Sequence, residues 1–166
     1  MRFHVLLCLA LLVPAVHATG TRTFRATVTH VTDGDSVWVR PSWGGGAMQV
    51  RLHGLDAPEI CQRWGLQAKA ALQSRLLHQP VVVQARGHDD YGRTVARLLS
   101  TGEDVGRSLV ASGLAWSYRS SRSAGPYADL QAQARAGRRG LWSDPRPQEP
   151  RAFRRQHGSC APSNAS

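Results

Sequence analysis

The sequence lacks the features that mark membrane-spanning proteins and zinc-dependent domains. Its 166 residues contain one long apolar run, 5–16, which is shorter than the roughly 20 residues that cross a bilayer. The three cysteines lie far apart, and the histidines show no spacing typical of structural zinc sites, which use about four close Cys or His ligands. Lysine is almost missing, since Lys69 is the only lysine among 21 basic residues. Neither a membrane-spanning protein nor a zinc domain is therefore expected.

Positive charge dominates what is present. The 21 Lys and Arg residues outnumber 11 Asp and Glu, so the formal net charge is +10 and the sequence pI is about 11.1. This balance indicates a polyanionic partner, such as nucleic acid, an anionic membrane or an acidic polysaccharide. The arginines are spread along the chain rather than gathered on one amphipathic helix, which disfavours the membrane surface. The preference for arginine fits phosphate recognition and equally fits a GC-rich genome.

The N-terminus has the pattern of a secretory signal peptide. Arg2 precedes the apolar run 5–16, and small residues stand three and one positions before a cut after Ala18. Residues 1–18 are therefore predicted to be removed on export. We expect a secreted or periplasmic protein that is monomeric and has no membrane association after cleavage.

Two cysteines remain after the predicted cut. In an exported chain Cys61 and Cys160 can form one disulfide, and the alternative is two free thiols. The hydrophobic fraction of 42% suffices for one packed domain, which we place at 19–143. The remaining 144–166 is a tail rich in Pro and Arg, for which poor order is predicted, and a disulfide would pin it to the domain.

Short strands separated by turn signals are predicted for the first part of the mature chain. The alternation of apolar residues predicts strands at 24–31, 36–40, 48–55, 81–85 and 93–99. Apolar residues at helical spacing predict a helix over 66–77, a second helix capped by Asp104 and running through Ser112, and a third from Pro126 to Arg139. Five strands with one helix between the third and fourth is the order of an OB barrel. The predicted fold class is therefore α+β, mainly β: a five-stranded OB-fold barrel with three helices.

Four clusters of residues could carry chemistry, and each has a simpler structural interpretation. Thr32–Ser36 could be a plain Asp-Gly hairpin turn, and Asp90–Arg93 a turn followed by a surface arginine. Gly113–Tyr118 could be core packing after a helix. Arg51–Glu59 either carries solvated charges or brings a cation and two carboxylates together at one strand end.

Taken together, these clusters resemble the staphylococcal nuclease, or thermonuclease, family. The resemblance is carried by Asp33-Gly34-Asp35-Ser36, Arg51 with Asp56-Ala57-Pro58-Glu59, Tyr91-Gly92-Arg93, Gly113-Leu114-Ala115 and Gly140-Leu141-Trp142-Ser143. They occur in family order and at family-like spacing over roughly 23–143. The resemblance implies a five-stranded OB barrel with three helices. It also implies calcium-dependent hydrolysis of phosphodiester bonds in DNA and RNA, leaving 3′-phosphates.

The resemblance also implies a role for individual residues. Asp35 and Asp56 would ligate Ca²⁺ together with the backbone carbonyl of Ala57. Arg51 and Arg93 would grip the scissile phosphate, and Glu59 would act as general base or position the attacking water. The residues expected to contact the substrate are Tyr91 and Tyr118.

The chain departs from the family pattern at three places. Ala57 replaces a hydroxyl residue of the best-known member, Asp90 replaces a basic residue, and Cys61 and Cys160 stand in a chain whose best-known relative has no cysteine. An OB-fold protein that binds nucleic acid without cleaving it is the main alternative. Retention of the acidic and arginine residues of the motifs disfavours that alternative.

Overall fold

A computed structural model describes residues 22–118, 120 and 123–160. The predicted signal peptide lies outside the described residues. The strands are β1 (Thr23–Val31), β2 (Ser36–Pro41), β3 (Met48–Leu52), β4 (Leu55–Asp56), β5 (Pro80–His88), β6 (Thr94–Ser100), β7 (Glu103–Asp104) and β8 (Trp116–Ser117). The helices are α1 (Gly65–Leu76), α2 (Val105–Ala111), α3 (Ala128–Ala136) and α4 (Pro150–His157), with a 3₁₀ turn at Gly140–Ser143.

Five of these strands close into a barrel. β1 pairs antiparallel with β2 and β5, β2 pairs with β3, and β5 pairs with β6. The parallel pairing of β3 with β6 closes the ring. Alternate residues of the strands point inward, and the fully buried ones include Val28, Val37, Val39, Val50 and Val83. The predicted OB barrel and the mainly β fold class are confirmed.

The third predicted strand, 48–55, is interrupted. β3 ends at Leu52, and Gly54 adopts a positive φ of 82°. A Cβ at position 54 would lie 2.4 Å from Cγ of Pro126, so this tight approach requires glycine. Beyond the break, β4 leaves the barrel and pairs with β8, which places Asp56 opposite Trp116.

The predicted helices between β3 and the 3₁₀ turn are present, with one shorter than expected. Asp104 caps α2 as predicted, because its side chain accepts hydrogen bonds from the backbone N–H groups of Gly106 and Arg107. The helix predicted over 126–139 covers only Ala128–Ala136. Tyr127 precedes the helix with a non-helical φ of −118°, and its backbone N–H donates to the Ser117 hydroxyl at 3.2 Å.

The prediction of a poorly ordered tail is wrong for the described residues up to 160. The tail contains a fourth helix, α4, with Pro150 in its first turn and Gly158 after its last residue. The three-helix expectation therefore misses one element. Within the ranges described here, each helix is too short or too polar to cross a bilayer.

Candidate active site

Asp35 is held inside the protein by the turn between β1 and β2. The backbone N–H of Asp35 donates to Oδ1 of Asp33 at 3.0 Å, which shapes the turn. The Asp35 carboxylate accepts one hydrogen bond from the backbone N–H of Ala57 at 2.8 Å and another from the Ser36 hydroxyl at 3.1 Å. Asp35 is 1% exposed. The segment is thus more than a hairpin turn, because it anchors a buried carboxylate.

Arg51 bridges two buried carboxylates. It lies on the outer face of β3, where it is paired across the sheet with Ser36. One terminal nitrogen, Nη1, bonds Oδ1 of Asp35, and the other, Nη2, lies 2.8 Å from Oδ1 of Asp56. Of the two acids predicted to converge with Arg51 at this strand end, Asp56 contacts it directly, whereas Glu59 is joined to Asp56 through Arg154. The second carboxylate on Arg51 is that of Asp35, from the turn between β1 and β2.

Burial and neighbouring charges shift the pKa values of Asp35 and Arg51 in this cluster. Burial raises the pKa of the Asp35 carboxyl above its usual value, Arg51 opposes this rise, and the nearby Asp33 and Asp56 add to it. Burial alone would lower the pKa of Arg51, but the charges of Asp35 and Asp56 raise it.

Arg93 is positioned by an acidic residue that the sequence analysis did not single out. The Asp89 carboxylate accepts hydrogen bonds from the backbone N–H groups of Tyr91 and Arg93 and from Nε of Arg93, the last at 2.7 Å. Burial alone would raise the pKa of Asp89, but these bonds and the Arg93 charge lower it. Nη1 of Arg93 also lies 3.4 Å from the Ser36 hydroxyl, which in turn bonds Asp35. Ser36 thereby connects the two predicted catalytic arginines.

Glu59 is joined to Asp56 by an arginine that sequence reasoning missed. Nη1 of Arg154, on α4, lies 2.8 Å from Oε1 of Glu59 and 3.1 Å from Oδ1 of Asp56. Nη2 of Arg154 lies 3.0 Å from Oδ2 of Asp56. Burial alone would lower the pKa of Arg154, but the hydrogen bonds to these two carboxylates raise it.

Three features of the sequence, two of them local, could have suggested an ordered segment around Arg154. Pro150 is a favoured residue in a first helical turn, and Gly158 is a favoured residue after a last one. Cys160 also offered a link to Cys61, only two residues from Glu59. That link is present: Cys61 and Cys160 form a disulfide with a Cα–Cα distance of 5.8 Å, so the interpretation as two free thiols is wrong.

These side chains border a cleft of about 1070 Å³. The predicted site residues that line it are Arg51, Glu59, Tyr91, Arg93 and Tyr118. Arg154 lines it as well. Tyr91 is 85% exposed and Tyr118 is 50% exposed, so both rings are accessible. The predicted metal ligands Asp35, Asp56 and Ala57 are buried.

The described residues contain no group of three or more His, Cys, Asp or Glu side chains arranged to hold a metal ion. The donors predicted here are different in kind, because they comprise two carboxylates and one backbone carbonyl. Such a set is all oxygen, which is typical of Ca²⁺ and unlike the nitrogen and sulfur ligands of zinc. A metal at Asp35 and Asp56 would complete its shell with water or substrate oxygens.

Comparison with known proteins identifies the family of the chain. The family described as staphylococcal nuclease homologue matches residues 49–144, which include Arg51, Asp56, Glu59 and Arg93. The chain belongs to the staphylococcal nuclease family. The micrococcal nuclease of Shigella flexneri is 33% identical to it over 80% of this chain and 81% of the relative.

Other relatives cover similar shares of the chain. An uncharacterized endonuclease of Haemophilus influenzae is 33% identical over 78% of this chain and 72% of its own length. Protein ParB of Escherichia coli is 34% identical over 89% of this chain and 88% of its own length. The predicted family membership is therefore confirmed along most of the domain.

Proposed function

We propose that the protein is an exported, calcium-dependent nuclease that hydrolyses phosphodiester bonds in DNA and RNA and leaves 3′-phosphate ends. Membership of the nuclease family supports hydrolysis of nucleic acid as its activity. The observation that carries the proposal is the position of Arg51, which bridges Asp35 and Asp56 at the border of a cleft that also exposes Glu59 and Arg93. The disulfide supports export, because disulfides persist in oxidising compartments.

Arg51 and Arg93 are suited to stabilise the transition state. Negative charge builds on the non-bridging oxygens of a phosphate under attack, and a guanidinium can donate two parallel hydrogen bonds to such oxygens. The Ser36 hydroxyl lies 3.4 Å from Nη1 of Arg93 and bonds Asp35, which in turn bonds Arg51, so Ser36 and Asp35 connect the two arginines. Each arginine is also held by a carboxylate, so it is oriented before the substrate arrives.

Glu59 is suited to handle the proton of the attacking water. Its carboxylate lines the cleft, and Arg154 holds one of its two oxygens. The other oxygen can accept a proton or orient a water, an effect typically worth ~10²–10⁴-fold in rate.

The residues present fit a calcium ion. Asp35, Asp56 and the Ala57 carbonyl would supply the hard oxygen donors that calcium prefers. When bound, calcium would neutralise charge on the phosphate and orient it. Arg51 contacts both acids in this structure, so it would exchange part of that contact for the phosphate.

Charge and accessible aromatic rings suit a nucleic acid substrate. The net charge of +10 attracts the phosphate backbone regardless of sequence, and Tyr91 and Tyr118 can contact sugars, phosphates or bases. Binding should therefore weaken as the salt concentration rises.

The first prediction concerns the metal and the products. Purified protein should digest DNA and RNA in Ca²⁺, lose activity in chelator and regain it on addition of Ca²⁺, because the predicted ligands are hard oxygens. The 3′ ends of the fragments should accept a label only after a phosphatase has removed their 3′-phosphates.

Glu59→Gln should lower the cleavage rate strongly. The matched control is Glu103→Gln, whose carboxylate pairs with Arg75 away from the cleft, and it should cleave at the normal rate.

Two results would contradict this proposal. Full activity in chelator, or rescue by Zn²⁺ alone, would refute the calcium site. Tight binding of DNA with no cleavage in any divalent metal would instead favour the non-catalytic OB-fold alternative.

A further inference from the structure

The segment 144–160, called here the C-terminal segment, returns to the site although nearly all of it follows the part that matches the family. The family match ends at residue 144. The segment packs beside 57–64, called here the Glu59 loop, which connects β4 to α1. This loop carries Glu59, so contacts that restrict the loop also restrict the position of the Glu59 carboxylate.

Gln62 makes one of the contacts between the C-terminal segment and the Glu59 loop. Its Nε2 donates to the backbone carbonyl of Gln148 at 2.7 Å, and its Oε1 accepts from the backbone N–H of Glu59 at 3.2 Å. One amide side chain therefore joins the C-terminal segment to the backbone of Glu59. Gln62 is 7% exposed, so water competes little for these bonds.

Two further links flank Gln62. Arg63 forms an ion pair with Asp144 at 2.9 Å, and Cys61 is bonded covalently to Cys160. Three consecutive residues of the Glu59 loop are thus attached to three different positions of the C-terminal segment. A loop attached in this way loses much of its freedom to move.

Arg154 contacts the reactive side chains themselves. It makes two parallel bonds to the Asp56 carboxylate and one to Oε1 of Glu59, at 2.8 to 3.1 Å. The Asp56 side chain is 6% exposed, and those of Arg154 and Glu59 are 29% and 20% exposed. Charge-assisted bonds in such a partly buried place are shorter and stronger than neutral ones.

We propose that the C-terminal segment is a brace that fixes the Glu59 loop, and that Arg154 is the positioning residue that sets the Glu59 carboxylate against Asp56. This inference rests on the proposed function, because it assigns Glu59 to the attacking water. It also makes the brace dependent on oxidation, since Cys61 is exposed and reduction would detach the end of the segment. The opposite role, in which Arg154 blocks the acids from a metal ion, is an outcome of the test.

The test compares Arg154→Gln and Arg154→Lys with Arg155→Gln, which changes an exposed arginine at the next position of the same helix. Steady-state kinetics give kcat and KM for DNA, and hydrogen exchange gives the protection of amides in 57–64. We expect Arg154→Gln to lower kcat about 10- to 100-fold while KM changes little. Its loop amides should exchange faster. Arg154→Lys should have a higher kcat and better protected loop amides than Arg154→Gln. Arg155→Gln should match the wild-type protein in both measurements.

A second arm uses the disulfide. Reduction of the unchanged protein, or replacement of both Cys61 and Cys160 by Ser, should speed exchange in the same amides and lower kcat. This arm does not depend on how well the Arg154 variants fold.

Three results would overturn the inference. Higher turnover in Arg154→Gln, with tighter Ca²⁺ binding in calorimetry, would mean that Arg154 obstructs the site. Lower kcat with unchanged exchange would mean that Arg154 acts on the substrate itself. Unchanged kcat and exchange would make it an ordinary surface ion pair. If the unchanged protein cleaves nothing, the proposed function fails, while the exchange data still decide whether the brace exists.

Discussion

At the scale of single residues, the two predicted catalytic arginines differ in their surroundings. Arg51 is shared between Asp35 and Asp56, whereas Arg93 is held by Asp89 alone and reaches the Ser36 hydroxyl. Both use the planar fork of the guanidinium to contact more than one group. Lysine would keep the positive charge and lose that geometry.

Arg51→Lys and Arg93→Lys should each lower kcat by roughly 10²–10³-fold, the size seen when one donor to a transition-state oxyanion is removed. Binding of uncleaved DNA in chelator should change by a few-fold at most, because general attraction comes from the whole basic surface. Single-turnover cleavage and a binding titration separate the two effects.

Suitable controls are Arg25→Lys and Arg40→Lys, which change exposed arginines on the outer faces of β1 and β2. Arg97 is unsuitable, because its Nε lies 3.1 Å from Oδ2 of Asp104, the cap of α2. Wild-type turnover in Arg51→Lys, or equal losses in the controls, would show that the motif arginines are ordinary surface charge.

At the scale of elements, the start of α1 is packed against the Glu59 loop. Gly65 is the first residue of α1, and a Cβ at this position would lie 1.9 Å from the backbone carbonyl oxygen of Glu59. The backbone of the Glu59 loop and the helix can approach so closely only because position 65 has no side chain.

Gly65→Ala should therefore destabilise the protein by about 1–3 kcal/mol, as overpacking does, although alanine is the better helix former. It should also lower kcat, since the Glu59 backbone must shift. Urea unfolding and cleavage kinetics measure the two effects. Gly46→Ala is the control, because a Cβ there meets nothing within 4 Å. Equal behaviour of the two variants would contradict the close packing described here.

At the scale of the whole molecule, the disulfide connects distant parts of the chain. Cys61 and Cys160 are separated by 99 positions, and the loop they close includes β5, β6 and all helices from α1 to α4. A long closed loop restricts the unfolded chain more than the folded one.

Replacing both cysteines by Ser should lower the free energy of unfolding by up to ~4–5 kcal/mol, according to the chain-entropy model for a loop of this length. Denaturant midpoints of the variant and the oxidised protein, measured side by side, give the difference. The unchanged protein after reduction should resemble the variant. A variant with the same midpoint as the oxidised protein would show that the link contributes no stability.

Much of the site could be predicted from short segments of sequence. The motifs around Asp35, Arg51, Glu59 and Arg93 place the right residue types at turns and strand ends, and the structure gathers them around one cleft. The roles of these residues stay predictions. What the motifs do not report is that Asp35 is buried and accepts a hydrogen bond from the backbone N–H of Ala57, 22 positions away.

The barrel, the capped helix at Asp104 and the family could be predicted from sequence, because alternation, capping and motif spacing are properties of neighbouring residues. The break after Leu52 and the place of Arg154, which meets Asp56 across 98 positions, follow from long-range packing. An eight-residue helix such as α4 is not stable by itself, so its composition alone indicates a poorly ordered tail. It is stable here because a disulfide, ion pairs and hydrogen bonds attach it to the Glu59 loop, and such long-range contacts leave no local pattern.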